Sequence, residues 1–456
     1  MLALCGGPLA AGAQDGVGLM YANAQGGEKD DAQAVAWLRR AADQGNAGAQ
    51  FNLAVMYANG RGVPQDYALA AQWCRKPPSR ATPKRRPCSA GCTPRAGVAR
   101  QEDLAVQWWR RAADQGYAEA RYQLGDHFFD APAPRRDDAQ ARRWFALAAA
   151  QGHAEAQNNL GVMYADGLGG PRDVGKAVEW FRKAAEQGLP KAQNNLGAMY
   201  FTGSGVPADD KLAVQWWRRA ADQGNAAAQD RLGGAYLSGR GVPQDDLQAS
   251  QWLRKAAEQD HAPAQDTLGT LYEQGLGVPK DESQAVQWYR RAAEQGLDTA
   301  QYNLARQYDF GRGVPRDLAS ARAWYGKAAD QGYPRAQFNL AVMYANGDGV
   351  PQDDAQAVRL MRKAATQGHR QATFGLGVMY AEGRGVPRNL EAAFALISAI
   401  ASPDEEMTQY RDMLLTHMPP GQRERAERLA DELRATGVSE ATMRRLAPES
   451  DGQPAS

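Results

Sequence analysis

Cysteine is scarce in this chain of 456 residues, with four copies at Cys5, Cys74, Cys88 and Cys92. So few, all near one end, cannot staple a long molecule, so no disulfide framework follows from them. Histidine is hardly commoner, with five copies, and His153, His261 and His369 lie 108 residues apart from one to the next. Packed helices are about 8–10 Å apart, so residues that far along an array cannot share one metal ion. His127 and His417 stand alone and read as surface or satisfied side chains. Net charge is lacking too: Lys+Arg number 53 against Asp+Glu 52, a balance of +1. No global field draws the chain to nucleic acid or to an acidic membrane surface. No apolar run approaches the roughly 20 residues a membrane-spanning helix needs. Residues 1–14 resemble a short signal sequence but lack its basic start, so the compartment, cytoplasmic or periplasmic, stays open.

What the chain has in plenty is one phrase. Tyr164, Tyr200, Tyr236, Tyr272, Tyr308, Tyr344 and Tyr380 recur every 36 residues. Each is followed 16 residues later by Trp180, Trp216, Trp252, Trp288, Trp324, Leu360 or Leu396. A fixed period of this length marks a linear array of one supersecondary unit rather than a single globular core.

Residues 190–224 show the unit. Ala192, Leu196, Met199 and Tyr200 fall on one face of a 3.6-residue period and predict a first helix. Gly197 inside that helix predicts the close approach of a neighbouring backbone. The stretch GSGVP then predicts a turn, with Asp209 or Asp210 capping the second helix. Ala213, Trp216, Trp217, Ala220 and Ala221 repeat at helical spacing, and the Trp series reads as stacking core. Gly224 stands where a left-handed residue ends that helix, and Asp260, which replaces this glycine once, is a residue type that tolerates the same conformation.

The phrase A-x-A-Q-x-x-L-G-x-M-Y-x-x-G-x-G-V-P-x-D-x-x-x-A-x-x-W-x-R-x-A-A-x-Q-G resembles the Sel1-like repeat family, relatives of tetratricopeptide repeats. The resemblance covers residues 13 to about 400. It implies an all-α fold: an α/α-solenoid of about eleven 36-residue helix hairpins, with a C-terminal helical cap over 401–442. It further implies a non-enzymatic scaffold or adaptor with a protein or peptide partner, of the kind used in bacterial signalling or envelope processes. No cofactor, nucleic acid or membrane insertion is implied, and oligomeric state is left open. Some cysteine-rich relatives have been linked to β-lactam binding, which makes a hydrolase-like protein the alternative. No Ser-x-x-Lys supports it. The G-x-G turns, such as Gly311-Arg312-Gly313, lack the Gly-Lys-Ser/Thr of a phosphate loop.

The array breaks once. Pro77, Pro78, Pro83, Pro87 and Pro94 stand where two helices belong, and each proline inside a helix costs about 3 kcal/mol. Read one base out of frame with GC-rich codons, 77–98 becomes AAEQGNAEAQALLGWMYAKGRG, an ordinary unit; otherwise it is an inserted basic loop. The expected organisation is therefore a non-repeat N-terminus 1–12, repeats 13–76, the broken segment 77–98, the main array 99–400, the cap 401–442, and a disordered tail 443–456.

The candidate site lies six residues before the repeated tyrosine, a position that points away from the buried stripe at 100° per residue. Asn158, Asn194, Asp230 and Asp266 occupy it first, then Tyr302, Phe338 and Phe374 in succession. Beside them lie Asn303 and Asn339, with Arg306, Val342 and Val378 one turn along. If first helices line the concave side, as the resemblance implies, an extended segment can insert apolar side chains between the rings while the amides hold its backbone. The competing expectation is that each ring packs on the adjacent unit's first helix.

Overall fold

The structure, a computed structural model, describes residues 30–44, 47–64, 116–131 and 134–446, with single positions Leu69, Trp73, Trp109, Arg110, Ala113 and Asp114. The broken segment 77–98 and the N-terminal 1–12 lie outside the described residues. Twenty-one α-helices and no strand occur among the described residues.

The chain divides into two compact units, Met1–Gln223 and Gly224–Ser456. The first holds α1 (Asp31–Asp43), α2 (Ala47–Asn59), α3 (Ala118–Asp130), α4 (Asp138–Ala149), α5 (Ala154–Asp166), α6 (Val174–Glu186), α7 (Pro190–Thr202) and α8 (Asp210–Asp222). The second begins with α9 (Ala226–Ser238), α10 (Asp246–Ala257), α11 (Ala262–Gln274), α12 (Glu282–Glu294), α13 (Asp298–Phe310) and α14 (Leu318–Asp330). It continues with α15 (Pro334–Asn346), α16 (Asp354–Thr366), α17 (Arg370–Glu382), α18 (Leu390–Ser398), α19 (Glu405–Thr416), α20 (Pro420–Thr436) and α21 (Glu440–Leu446). From α3 to α8 and from α9 to α18 each helix packs on the one before it, and α1 packs on α2, the arrangement of an α/α-solenoid.

Local chemistry explains each hairpin. The α7 helix ends on Gly203 at φ 68°, a left-handed conformation in which a Cβ is strained. Two residues on, Gly205 lies so close to the preceding hairpin that an added Cβ would stand 2.6 Å from the Val174 carbonyl oxygen. The turn closes with the Asp209 N–H donating to the Tyr200 carbonyl at 2.9 Å. Asp209 then caps α8, its carboxylate accepting from the Leu212 N–H at 2.9 Å. Asp260 takes φ 59° at the end of its hairpin, as its place in the glycine column requires.

Packing corrects two details of the sequence reading. At Gly197 it is a ring, not a backbone, that comes closest: an added Cβ would meet Trp217 Cδ1 and Nε1 at 2.6 Å, with the Ala213 carbonyl at 3.0 Å. The conspicuous tryptophans are mostly half-buried, and the residue after each one, or after the Leu360 and Leu396 that replace it, is the full core: Phe181, Trp217, Leu253, Tyr289, Tyr325, Met361 and Ile397. Each such side chain removed from water contributes roughly 1.5–3 kcal/mol. The tryptophans lie beneath a cation three residues on, as with Lys255 over Trp252 at 3.9 Å and Lys327 over Trp324 at 3.7 Å.

A recurrent polar contribution to the core is a buried glutamine in the first helices α2, α5, α7, α9, α11, α13 and α15, replaced by Arg121 in α3 and Thr373 in α17. Gln193 donates Nε2 to the Ala185 carbonyl at 3.2 Å and accepts from Gln223 Nε2 at 2.9 Å. Gln337 does the same with Ala329 at 3.2 Å and Gln367 at 3.0 Å. One buried amide thereby ties a carbonyl near the end of the previous hairpin, its own first helix and the end of its own second helix.

At the C-terminus, α18 is covered by α20, with Met407, Leu414, Ala426, Ala430 and Leu433 joining the core. Arg425 reaches Glu391 at 2.7 Å to join the two helices. The expected disordered tail from 443 instead starts inside α21, where Met443 and Leu446 are buried against the same core; 447–456 lies outside the described residues.

Candidate functional site

Tyr302, Phe338 and Phe374 occupy one register on α13, α15 and α17. The expectation that they point outward is corrected: all three are half-buried. The single-helix projection omits the next hairpin, whose start folds over the position. Tyr302 packs on Tyr333 at 5.2 Å and on Tyr325 at 5.8 Å between ring centroids. Phe338 stacks on His369 at 5.0 Å and 28°, and Phe374 meets Tyr410 edge-on at 5.7 Å. Tyr333 and His369 are the N-cap residues of α15 and α17, so Tyr302 and Phe338 touch the cap of the following first helix rather than its body, whereas Tyr410 lies within α19. Such aromatic pairs add about 0.5–1.5 kcal/mol beyond area burial, while each ring keeps part of its surface in water.

His369 has two tasks. Its Nδ1 accepts from the Ala372 N–H at 3.2 Å, capping α17. Burial, with the Arg335 charge adding, holds its imidazole below the usual histidine range and so favours the neutral ring that this cap requires. His153 caps α5 in the same way through Ala156, at 3.2 Å.

The polar residues of the expected site are engaged within the protein. Asn303 Nδ2 donates to Asp266 at 2.9 Å, and Asn339 Nδ2 donates to the Tyr325 hydroxyl at 3.0 Å. Arg306 lies with its guanidinium 5.9 Å from the Tyr302 ring centroid. Val342 and Val378 are half-buried one turn further on.

Asn303 and Arg306 also line a cavity of about 490 Å³ bounded by α11, α12 and α13. Its floor is Glu273, whose Oε2 accepts from the Tyr289 hydroxyl at 2.8 Å. Burial raises the Tyr289 pKa, with the Glu273 charge adding to it, so the hydroxyl stays protonated and donates. Glu273 Oε1 has the Arg312 guanidinium 3.6 Å away and that of Arg306 at 3.9 Å. Sequence reasoning brought Asn303 and Arg306 forward and missed Glu273, Tyr289 and Arg312. A signal existed: the column of Glu273 is apolar at Phe129, Ala165, Phe201, Leu237, Ala345 and Ala381 and turns acidic at Glu273 and, one copy on, at Asp309.

The Sel1 repeat family model matches eleven stretches: 11–46, 47–76, 94–117, 118–153, 154–189, 190–225, 226–261, 262–297, 298–333, 334–369 and 370–401. Residues 77–93 fall in none of them. Among solved structures, a protective antigen present in uropathogenic Escherichia coli strains is 33% identical, with 98% of this chain and 97% of that one covered and a TM-score of 0.51. A Sel1 repeat protein from Oxalobacter formigenes is 34% identical, covering 73% of this chain and 98% of its own, also with a TM-score of 0.51. No curated protein matches the chain.

Proposed function

The chain belongs to the Sel1 repeat family, and on that premise we propose that it is a non-enzymatic scaffold or adaptor holding an extended segment of a partner protein across its first helices. The contact centres on Tyr302, Phe338 and Phe374, flanked by Asn303, Arg306, Asn339, Val342 and Val378. A bacterial signalling or envelope setting is supported by the bacterial origin of both similar structures.

The observation that carries the reading is three partly exposed rings in successive hairpins at one register. Each is held by a neighbouring ring, so little conformational freedom is left to lose on binding. An extended segment in the polyproline II conformation rises about 3.1 Å per residue with three residues per turn, so first helices roughly 10 Å apart would meet every third side chain.

The test compares the full chain with Phe338→Ala in capture of a partner and in thermal melting. The expected result is at least a tenfold loss of affinity, equivalent to about 1.4 kcal/mol. The stability change should fall well short of the roughly 3–5 kcal/mol of a core Phe→Ala. Unchanged capture, or a stability loss of full core size, overturns the reading.

A further inference from the structure

We infer that the cavity at Glu273, Arg306 and Arg312 receives a carboxylate carried by the bound segment. The inference rests on the scaffold reading above and specifies the chemistry that one of its subsites selects.

The first argument is a broken pattern. In the G-R-G turns the arginine stands 30 residues after an acidic residue that begins the preceding hairpin's second helix. Arg61 pairs with Asp31 there at 2.6 and 3.2 Å, and Arg384 with Asp354 at 2.8 and 3.3 Å. The counterpart of Arg312 by that register is Glu282, yet Glu282 is met by Lys280 at 3.5 Å. Arg312 turns instead toward Glu273.

The second argument is stoichiometry. Arg306 and Arg312 share one resident carboxylate, and neither approaches within the 2.7–2.9 Å or so of a charge-assisted hydrogen bond. The Tyr289 hydroxyl already bonds the other oxygen of Glu273. The cavity lining carries Lys280, Arg306 and Arg312 against Glu273 and Glu282, three cations to two anions. Two planar donor forks without matched acceptors, lining one cavity, suit a second carboxylate.

The third argument is singularity. At the Arg306 position the other first helices of the main array carry Asp126, Val162, Ala198, Gly234, Thr270, Val342 or Val378, none of them a cation. Four residues on stands Phe310, 59% exposed, where the neighbouring columns hold Gln274 and Asn346. Arg312 lies 5.3 Å from the Phe310 ring centroid, so the cationic site has an apolar rim.

The carboxylate can come from an Asp or Glu side chain or from a chain terminus, and the experiment separates the two. Nonapeptides of aliphatic and aromatic residues, labelled at the N-terminus with dansyl, which carries no carboxylate, are prepared in three forms: amide-capped with a central Asp or Glu, amide-capped with Asn or Gln, and uncharged in their side chains with a free C-terminal carboxylate. Binding to the full chain is followed by fluorescence anisotropy, with circular dichroism on every variant. One or both carboxylate forms should bind at least tenfold tighter than the capped amides. Arg312→Gln and Arg306→Gln should each erase most of that preference. Glu273→Gln, which frees both guanidiniums and keeps an acceptor for Tyr289, should tighten carboxylate binding several-fold. Equal binding of acidic and amide forms, or weakening by Glu273→Gln, overturns the proposal. If the amide peptides still bind and Phe338→Ala weakens them, the scaffold reading survives that failure. No binding by any form overturns both.

Discussion

The first helices α5 and α7 share their backbone with α13, α15 and α17 and differ in what stands six residues before the repeated tyrosine. In the former pair the position holds Asn158 and Asn194, 5% and 8% exposed, and Asn195 Nδ2 donates to Asn158 Oδ1 at 3.0 Å. In the latter trio it holds half-buried rings packed on the N-cap residue of the following first helix or on the C-terminal cap. The turn glycines are the same in both, and so are the capping aspartates and the buried glutamines except in the last hairpin, where Asn389 caps α18 and Thr373 takes the glutamine's place. Hairpin stability is thus secured by one group of positions, which leaves this register open to whatever chemistry a partner requires.

The largest expected effect tests the shared half of that contrast. Gln193→Leu in one region and Gln337→Leu in the other each strip two hydrogen bonds from buried groups. Each group left unpaired costs about 1–3 kcal/mol, and the two variants should lose protection alike in hydrogen exchange of their own hairpins. Unequal losses would mean that the two frames are not equivalent.

A smaller change, of opposite sign, is expected at Gln307. It is fully buried, and neither Oε1 nor Nε2 has a hydrogen-bond partner among the described residues. Met163, Met199, Met343 and Met379 hold that register elsewhere. Gln307→Met should stabilise by about 1–2 kcal/mol through relief of that desolvation, read as a higher melting temperature. A lower one would show that the amide is satisfied after all.

The smallest effect concerns Asp266, which stands where Asn158 and Asn194 do. Burial raises its pKa above 3.8, against the hydrogen bonds from Asn303 and Thr299 that lower it. A folded-state carboxyl raised in this way binds its proton more tightly than the unfolded one, so stability falls as pH rises from 3.8 through the folded value. Asp266→Asn should therefore raise the melting temperature at neutral pH, with the gain vanishing as pH drops toward 3.8. A gain independent of pH would separate it from titration.

The hairpins, turns and caps were legible because they obey local rules: Gly203 and Asp209 announce themselves by residue type and spacing. The core was half legible. The tryptophans caught the eye, while the more deeply buried Phe181, Leu253 and Tyr325 vary in identity and show no repeat of their own. The glutamines stood in the motif, but their partners lie 8 residues back and 30 ahead, and one helix's pattern cannot show them. The rings of the candidate site were found and mis-aimed for the same reason, since His369 belongs to the following helix. Arg312 carries the same turn phrase as Arg384; only the fold shows that it abandons the acid paired by its counterpart.

The glutamine bridge has a genetic corollary. Every bond it makes reaches back into the preceding hairpin or forward within its own, at offsets that recur from copy to copy wherever the glutamine stands. Excising or duplicating one whole period rejoins each amide to an equivalent carbonyl, whereas any other length of indel strands it. Array length can thus drift by unequal crossing-over in steps of 36 residues, carrying recognition positions along as interchangeable cassettes.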